Sequence, residues 1–296
     1  MNPYRHGSFL NLEPGLCDPE RSGAAILPLP LDLTASWKRG TAEGPVAIIE
    51  ASSHIERFDD ELGFDACEAA GGIHTCSYPD LPTDPRAADE AIESLAASLL
   101  RPQRLLISLG GEHSVTFPLV RAHRHRWPGL CVLQIDAHAD LRDTYHGSPL
   151  NHACPMRRIV ELGVHVTAVG IRSADESERP LLESDLHRTF HAGRVAGRLA
   201  EHTGPIIESL PAEEVYVTID LDGLDPSVVP AVGTPVPGGL GWYETLALLK
   251  AVAAEKHVVG ADVVELCPQP GLHHADSAAA RLVYKLIAYR TRAAGN

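Results

Sequence analysis

The chain has 296 residues and carries 25 Lys plus Arg against 39 Asp plus Glu, a formal charge of −14 with His neutral. A chain of this length with 44% hydrophobic and 22% charged residues buries most of its unfolded surface, which excludes wholesale disorder. The negative excess repels phosphate and anionic membranes, so no nucleic acid and no membrane is expected as a partner, whereas a small cationic substrate is attracted.

No apolar run reaches the ~18 residues that a membrane span needs. The opening segment Met1–His6 leads into no apolar signal region. Six dispersed cysteines (Cys17, Cys67, Cys76, Cys131, Cys154 and Cys267) form no CxxC pair and point to a reduced, cytoplasmic protein. No repeat and no Ser/Gly-rich linker interrupts the chain, so 1–296 reads as one domain.

In chain order, Ala24–Leu29 predicts a strand, Pro45–Arg57 a helix, and Arg86–Leu100 a helix after the breaker Pro82-Thr83-Asp84-Pro85. Arg104–Ser108 predicts a strand, Val115–His125 a helix, Leu130–Ile135 a strand, Pro155–Leu162 a helix and His165–Val169 a strand. Ser177–Leu186 predicts a helix, Glu214–Ile219 a strand, Trp242–Ala254 a helix, Val258–Val264 a strand and Ser277–Tyr289 a helix. Strands alternating with helices imply βαβ units and a mostly parallel sheet covered on both faces. In such sheets ligands bind beyond the carboxyl ends of the strands, and four strand ends here carry unusual polar residues.

After Cys131–Ile135 comes Asp136-Ala137-His138-Ala139-Asp140. In an extended chain, residues i, i+2 and i+4 point the same way, so two carboxylates and an imidazole would converge with small alanines between them. That donor set suits a hard or borderline divalent cation; a solvated turn is the plainer alternative. After Val215–Ile219 comes Asp220-Leu221-Asp222, the start of a run to Asp225 with three acids; it reads as a cation site or as an acidic loop. After Leu105–Leu109, Gly110-Gly111-Glu112-His113-Ser114 offers a tight turn followed by a histidine. Glu265, in Glu265-Leu266-Cys267-Pro268, ends the last strand and could face a cationic group or solvent. Taken together, four aspartates and two histidines provide six ligands, enough for two divalent ions, and four carboxylates balance two M²⁺ charges. Such a pair acidifies a bound water from a pKa near 16 toward ~7.

Three blocks carry a family resemblance: Gly-Gly-acid-His-Ser at 110–114, Asp-x-His-x-Asp at 136–140, and TIDLDGLDPSVVPAVGTPVPGGL from Thr218 to Leu240. In content, order and spacing they resemble the ureohydrolases, the arginase and agmatinase family, over about Ala24 to Tyr289. The resemblance implies a three-layer α/β/α sandwich with an eight-stranded, mostly parallel sheet, assembled as a homo-oligomer (trimer or hexamer). It implies two Mn²⁺ ions, with Ni²⁺ or Co²⁺ also suiting N/O ligands. His113 and Asp140 would bind one ion, His138 and Asp222 the other, and Asp136 and Asp220 both. The implied reaction hydrolyses a guanidino group to urea and an amine by attack of a hydroxide held between the ions, with Asp140 orienting it. Glu265 matches the glutamate that pairs with the guanidinium, and His152 matches the proton-shuttle histidine, with His146 its neighbouring rival.

The segment from Tyr145 to His152 is similar to agmatinase loops, and no insertion between Asp140 and His152 provides for an amino-acid head group. Agmatine is therefore the expected substrate; guanidinobutyrate, aminopropylagmatine, formiminoglutamate, arginine and guanidine are the alternatives. Glu112 stands where many members have Asp, Asn151 replaces a usual Ser, and Leu-Cys-Pro follows Glu265 in place of Val-x-Pro. Asp175 lies in a loop that touches the substrate's amine end in some members. A non-catalytic member of the fold would be marked by a lost ligand, and none is lost. A related single-zinc deacetylase is disfavoured because His113 and Asp222 complete a two-ion set.

Overall fold

The computed structural model describes residues 7–295; the Met1–His6 segment considered above lies outside them. Eight strands form the central sheet: β1 (Ala24–Leu29), β2 (Ile73–Thr75), β3 (Leu105–Gly110), β4 (Cys131–Ile135), β5 (Val166–Ile171), β6 (His187–His191), β7 (Glu214–Asp220) and β8 (His257–Val264). Their order is β2-β1-β3-β8-β7-β4-β5-β6, and every neighbouring pair is parallel.

The inner strands read as continuous apolar runs because both faces are covered. Alternate side chains still part to opposite faces. Ala24 and Ile26 join a core with helices α1 (Gly44–Ser52), α5 (Leu199–Glu208), α6 (Trp242–Glu255) and α7 (His273–Ala294), through residues such as Ile48, Ile206, Leu249 and Val283. Ala25, Leu27 and Leu29 join the other core with α2 (Pro85–Leu99), α3 (Thr116–Arg126) and α4 (Pro155–Glu161), through Ile92, Leu119 and Ile159. The result is the expected three-layer sandwich. Helix α2 starts where its sequence directs: Asp84 accepts a hydrogen bond from Ala87 N at 2.9 Å, and Pro85 occupies the first turn, where its missing N–H costs nothing.

Three expectations need correction. Ser177–Leu186 is not one helix but a 3₁₀ turn at Glu176–Glu178 followed by the short helix Arg179–Leu182. Leu186 lies in a turn, closed by His187 N donating to Ser184 O at 3.2 Å, and its carbonyl accepts from Val166 N at 2.9 Å as the chain enters β6. Two edge strands, β2 and β6, and the helix α5 were not expected from the pattern. Finally, the first helix stops at Ser52 rather than Arg57, and the last one runs well beyond Ser277–Tyr289 at both ends.

The four polar strand ends belong to β3, β8, β7 and β4. These are four consecutive neighbours at the centre of the sheet. Segments more than a hundred residues apart in sequence therefore deliver their side chains to one edge.

Candidate metal centre

Past β3 the chain turns sharply and lies against the segment after β1. Gly111 N donates to Leu29 O at 2.9 Å and Glu112 N to Leu31 O at 2.8 Å. A Cβ on Gly111 would stand 1.9 Å from Leu31 O, so only glycine fits. This turn sets His113 at the start of the 3₁₀ turn His113–Val115 that leads into α3. Past β7, Asp220 Oδ1 accepts from Asp222 N at 2.9 Å, which folds the two carboxylates into a tight turn. Gly223 in that turn presses on the backbone of Asp136, where a Cβ would meet Asp136 N at 2.6 Å.

Past β4, Asp136 Oδ1 accepts from His138 N at 2.6 Å, and Asp222 Oδ1 accepts from Ala137 N at 3.1 Å. The segment is not simply an extended continuation of the strand: Asp140 has φ +54, in the left-handed region. Asp136, His138 and Asp140 therefore serve two clusters that share Asp136. One holds His113, Asp136 and Asp140, the other Asp136, His138 and Asp222, with potential ligand atoms in each within 4.8 Å of one another.

The residues fit a divalent pair. His113 Nδ1 is buried 2.9 Å from Asp140 Oδ2, 3.2 Å from Asp136 Oδ2 and 3.5 Å from Asp220 Oδ2, yet it is aligned for a hydrogen bond with none of them. A nitrogen facing three carboxylate oxygens without such alignment is placed as one ligand among several around a cation. His138 Nδ1 lies 2.9 Å from Asp222 Oδ2.

The electrostatics of the cluster point the same way. Burial and the Asp140 charge push Asp136 up to about 7, and burial with Asp222 and Asp136 holds Asp220 well above the carboxylate range. Burial alone would lower His113 and His138, but the carboxylates around them win. His113 stays well above the usual imidazole range, and Asp222 brings His138 to about 10. Asp222 also resists burial through His138 and sits at about 2. Without cations the cluster must take up protons; four carboxylates with two M²⁺ ions need none.

Around this centre stand residues the sequence reading did not single out. Gln134 Nε2 donates to Asp136 Oδ2 at 2.8 Å, and Thr234 Oγ1 to Asp222 Oδ2 at 3.2 Å. His113 Nε2 meets Thr218 Oγ1 at 2.9 Å, and Thr218 in turn donates to the buried Asp262 at 2.6 Å. Arg172 donates to the carbonyls of Asp222 and Val236, each at 2.6 Å, and braces the long Thr218–Leu240 stretch. Polar residues inside otherwise apolar strands, Gln134 and Asp262 above all, were the available signal. Of the run's three acids only Asp222 belongs to either cluster: Asp220 stands beside them, its Oδ2 3.5 Å from His113 Nδ1, and Asp225 takes no part. It accepts from Ser227, Gly238 and Gly239 and organises the loop.

A cavity of about 220 Å³ opens over the cluster, lined among others by His138, Asp140, Tyr145, His152, Asp175 and Glu265. Glu265 is buried with φ +65 and accepts from His113 N at 2.7 Å. His152 lines the cavity; the rival His146 is exposed on the loop and does not. Asp175 Oδ2 pairs with Arg142 at 3.2 Å at the mouth. A larger groove of about 1130 Å³ beside Phe58, Trp242 and Tyr243 contains none of the clustered residues.

A parallel α/β/α sandwich with this Asp/His cluster under a carboxylate-lined cavity defines a class of α/β proteins whose strand ends can hold divalent cations. A family model described as the arginase family matches residues 22–288. The chain is 40% identical over 279 residues to the N(1)-aminopropylagmatine ureohydrolase of Thermus thermophilus, covering 93% of each chain. It is 34% identical over 294 residues to the agmatinase of Pyrococcus horikoshii, covering 98% of this chain and 99% of that one. The agmatine ureohydrolase of Thermoplasma volcanium superposes with a TM-score of 0.83 at 28% identity, covering 93% of this chain and 92% of that chain. The chain belongs to the arginase family and is a guanidino hydrolase.

Proposed function

We propose that the protein hydrolyses agmatine to urea and putrescine with two Mn²⁺ ions, working as a single-domain homo-oligomeric enzyme (trimer or hexamer) of the cytoplasm. The observation that carries the substrate is the balance of charge in the cavity. Asp140, Asp175, Glu178, Asp220 and Glu265 line it, and Arg142, the one arginine lining it among the described residues, is already paired with Asp175 and placed over the Tyr145 ring. Among the described residues no arginine or lysine there is left unpaired to hold a carboxylate on the substrate, so the acidic lining favours a substrate that carries positive charge and no carboxylate. His113 and Asp140 would hold one ion, His138 and Asp222 the other, with Asp136 and Asp220 shared. Bound divalent ions supply Lewis acidity that brings the pKa of water toward ~7.

The chain's own residues do the rest. Glu265 receives the guanidinium, whose fork of donors a carboxylate accepts in a fixed orientation. Asp140 orients the attacking water. His152 gives a proton to the departing amine nitrogen as the C–N bond breaks, a role for which an imidazole has a suitable pKa. A second reading, N(1)-aminopropylagmatine, is favoured by the name of the Thermus relative and by the acidic mouth, which would meet a further cationic nitrogen.

The test is urea release from Mn²⁺-loaded protein with agmatine, aminopropylagmatine, arginine and guanidinobutyrate side by side. The two polyamine guanidines are expected to exceed the two carboxylated substrates by about 100-fold or more in kcat/KM, since a buried unpaired carboxylate is costly. Arginine as the best substrate would overturn the reading.

A further inference from the structure

The segment between β1 and α1 passes beneath the loop that carries His152, and one threonine there touches both His152 and a buried acid. Thr34 N donates to Glu112 Oε2 at 2.6 Å, and Thr34 Oγ1 donates to Glu112 Oε1 at 2.9 Å. Ser114 Oγ donates to the same Oε1 at 2.6 Å. On its other side, Thr34 Oγ1 accepts from His152 N at 3.0 Å and lies 3.2 Å from His152 Nδ1. Glu112 is buried, 1% exposed, and sits on the glycine turn that only Gly111 permits.

We infer that Thr34 and Glu112 are positioning residues that fix the tautomer and orientation of His152, and so select the nitrogen that handles the proton. The inference rests on the reading of His152 as proton carrier. The argument is one of counting protons and lone pairs. A threonine hydroxyl has one proton and two lone pairs. The proton goes to the Glu112 carboxylate, the strongest acceptor in reach. One lone pair is taken by His152 N–H. The remaining lone pair can only accept, so Nδ1 of His152 must carry its hydrogen. Nε2 is then the nitrogen that bears the labile proton. It gives that proton to the amine nitrogen as the C–N bond breaks and regains one from water, while the Nδ1 hydrogen stays in place. Glu112 reaches Thr34 through both carboxylate oxygens. Tyr145, edge-on to the His152 ring at 6.0 Å between centroids, limits the ring from another side.

The test uses the Mn²⁺-loaded full-length protein and measures kcat, KM and manganese per chain. His152→Ala is expected to lower kcat by about 100-fold, within the range of general acid–base catalysis. Thr34→Val keeps the shape but can neither donate to Glu112 nor accept from Nδ1–H. It is expected to lower kcat about tenfold or more, with KM and manganese content changed less than about twofold. Thr34→Ser, which restores the hydroxyl, should recover kcat to within about twofold. In the His152→Ala background, Thr34→Val should cost less than about a further twofold, because the two residues act as a unit. Thr34→Ala replaces Thr34→Val with the same expectations should the latter fold poorly. Wild-type kcat in Thr34→Val, loss in Thr34→Ser, or an undiminished loss in the His152→Ala background would each overturn the relay. An unchanged kcat in His152→Ala would instead overturn the underlying reading of His152, so the two failures are separable.

Discussion

Asp136 carries more of the centre than any other residue because both ligand clusters include it. Asp136→Asn keeps the shape but removes the charge of the shared position, and its single acceptor oxygen can serve only one of the two donors, Gln134 Nε2 and His138 N. It should drop metal content below two ions per chain by elemental analysis and lower kcat/KM by more than about 100-fold, beyond what loss of an outlying partner costs. Full occupancy by two ions in that variant would sink the shared-ligand assignment. At this scale the sequence was informative, since Asp, His and Glu at strand ends announce themselves by residue type. What it hid were conformations. The left-handed backbone of Asp140 and Glu265 depends on contacts from other strands, and no spacing rule reports a positive φ. Equally hidden was Thr34, an ordinary threonine in a loop whose meaning comes entirely from two residues about 80 and 120 positions away.

Among the elements, the small hairpin Phe58–Asp59 with Phe64–Asp65 is tied to the helical layer by Asp59, which accepts from Lys285 at 2.9 Å, and by Glu61. Glu61 accepts from Lys250 on α6 at 2.9 Å and from Lys285 and Tyr289 on α7, each at 2.8 Å. Partial burial would raise its pKa, but Lys285, Lys250 and Tyr289 outweigh that and hold it at about 2. A depressed carboxylate stabilises the fold fully above its unfolded pKa, near ~4.3, and that contribution fades as pH falls toward 2. The melting temperature of Glu61→Gln should therefore lie below that of the wild type near pH 6–7. The gap should close between about pH 4.5 and pH 2; a gap independent of pH would rule the ion network out as its cause. The elements that escaped prediction did so for different reasons. The edge strand β6, His187–His191, is only partly buried, so it lacks the apolar run that marks its inner neighbours. Helix α5 contains Gly204-Pro205, which reads as a break, although tertiary packing of Leu199, Ile206 and Ile207 keeps it helical. The central strands were legible because their burial on both faces is written into composition.

For the molecule as a whole, the cluster is a store of like charge that folding compresses. Stripping metal with a chelator at neutral pH should lower the melting temperature by several degrees, and added Mn²⁺ should restore it. A ligand at 100 times its Kd stabilises the native state by ~2.7 kcal/mol, and each kcal/mol is worth a few degrees in a chain of this size. A melting temperature indifferent to chelation would mean that the cluster does not hold metal. The whole-chain charge of −14 agrees in sign with the cavity, so the surface and the site attract the same class of substrate.

The strand order has a consequence for the time at which such a centre can exist. Strand β8 lies between β3 and β7 and is the only strand joining β2-β1-β3 to β7-β4-β5-β6. It is also the last strand in the chain. His113 stands on one side of that seam and Asp136, His138, Asp140, Asp220 and Asp222 on the other. During synthesis from the amino end, the two half-sheets can each begin to order, but their ligands have no fixed distance between them until His257–Val264 is inserted. The proposed metal site would thus be completed only when this strand is in place, and an emerging chain that has already exposed all six proposed ligands would still offer no finished site.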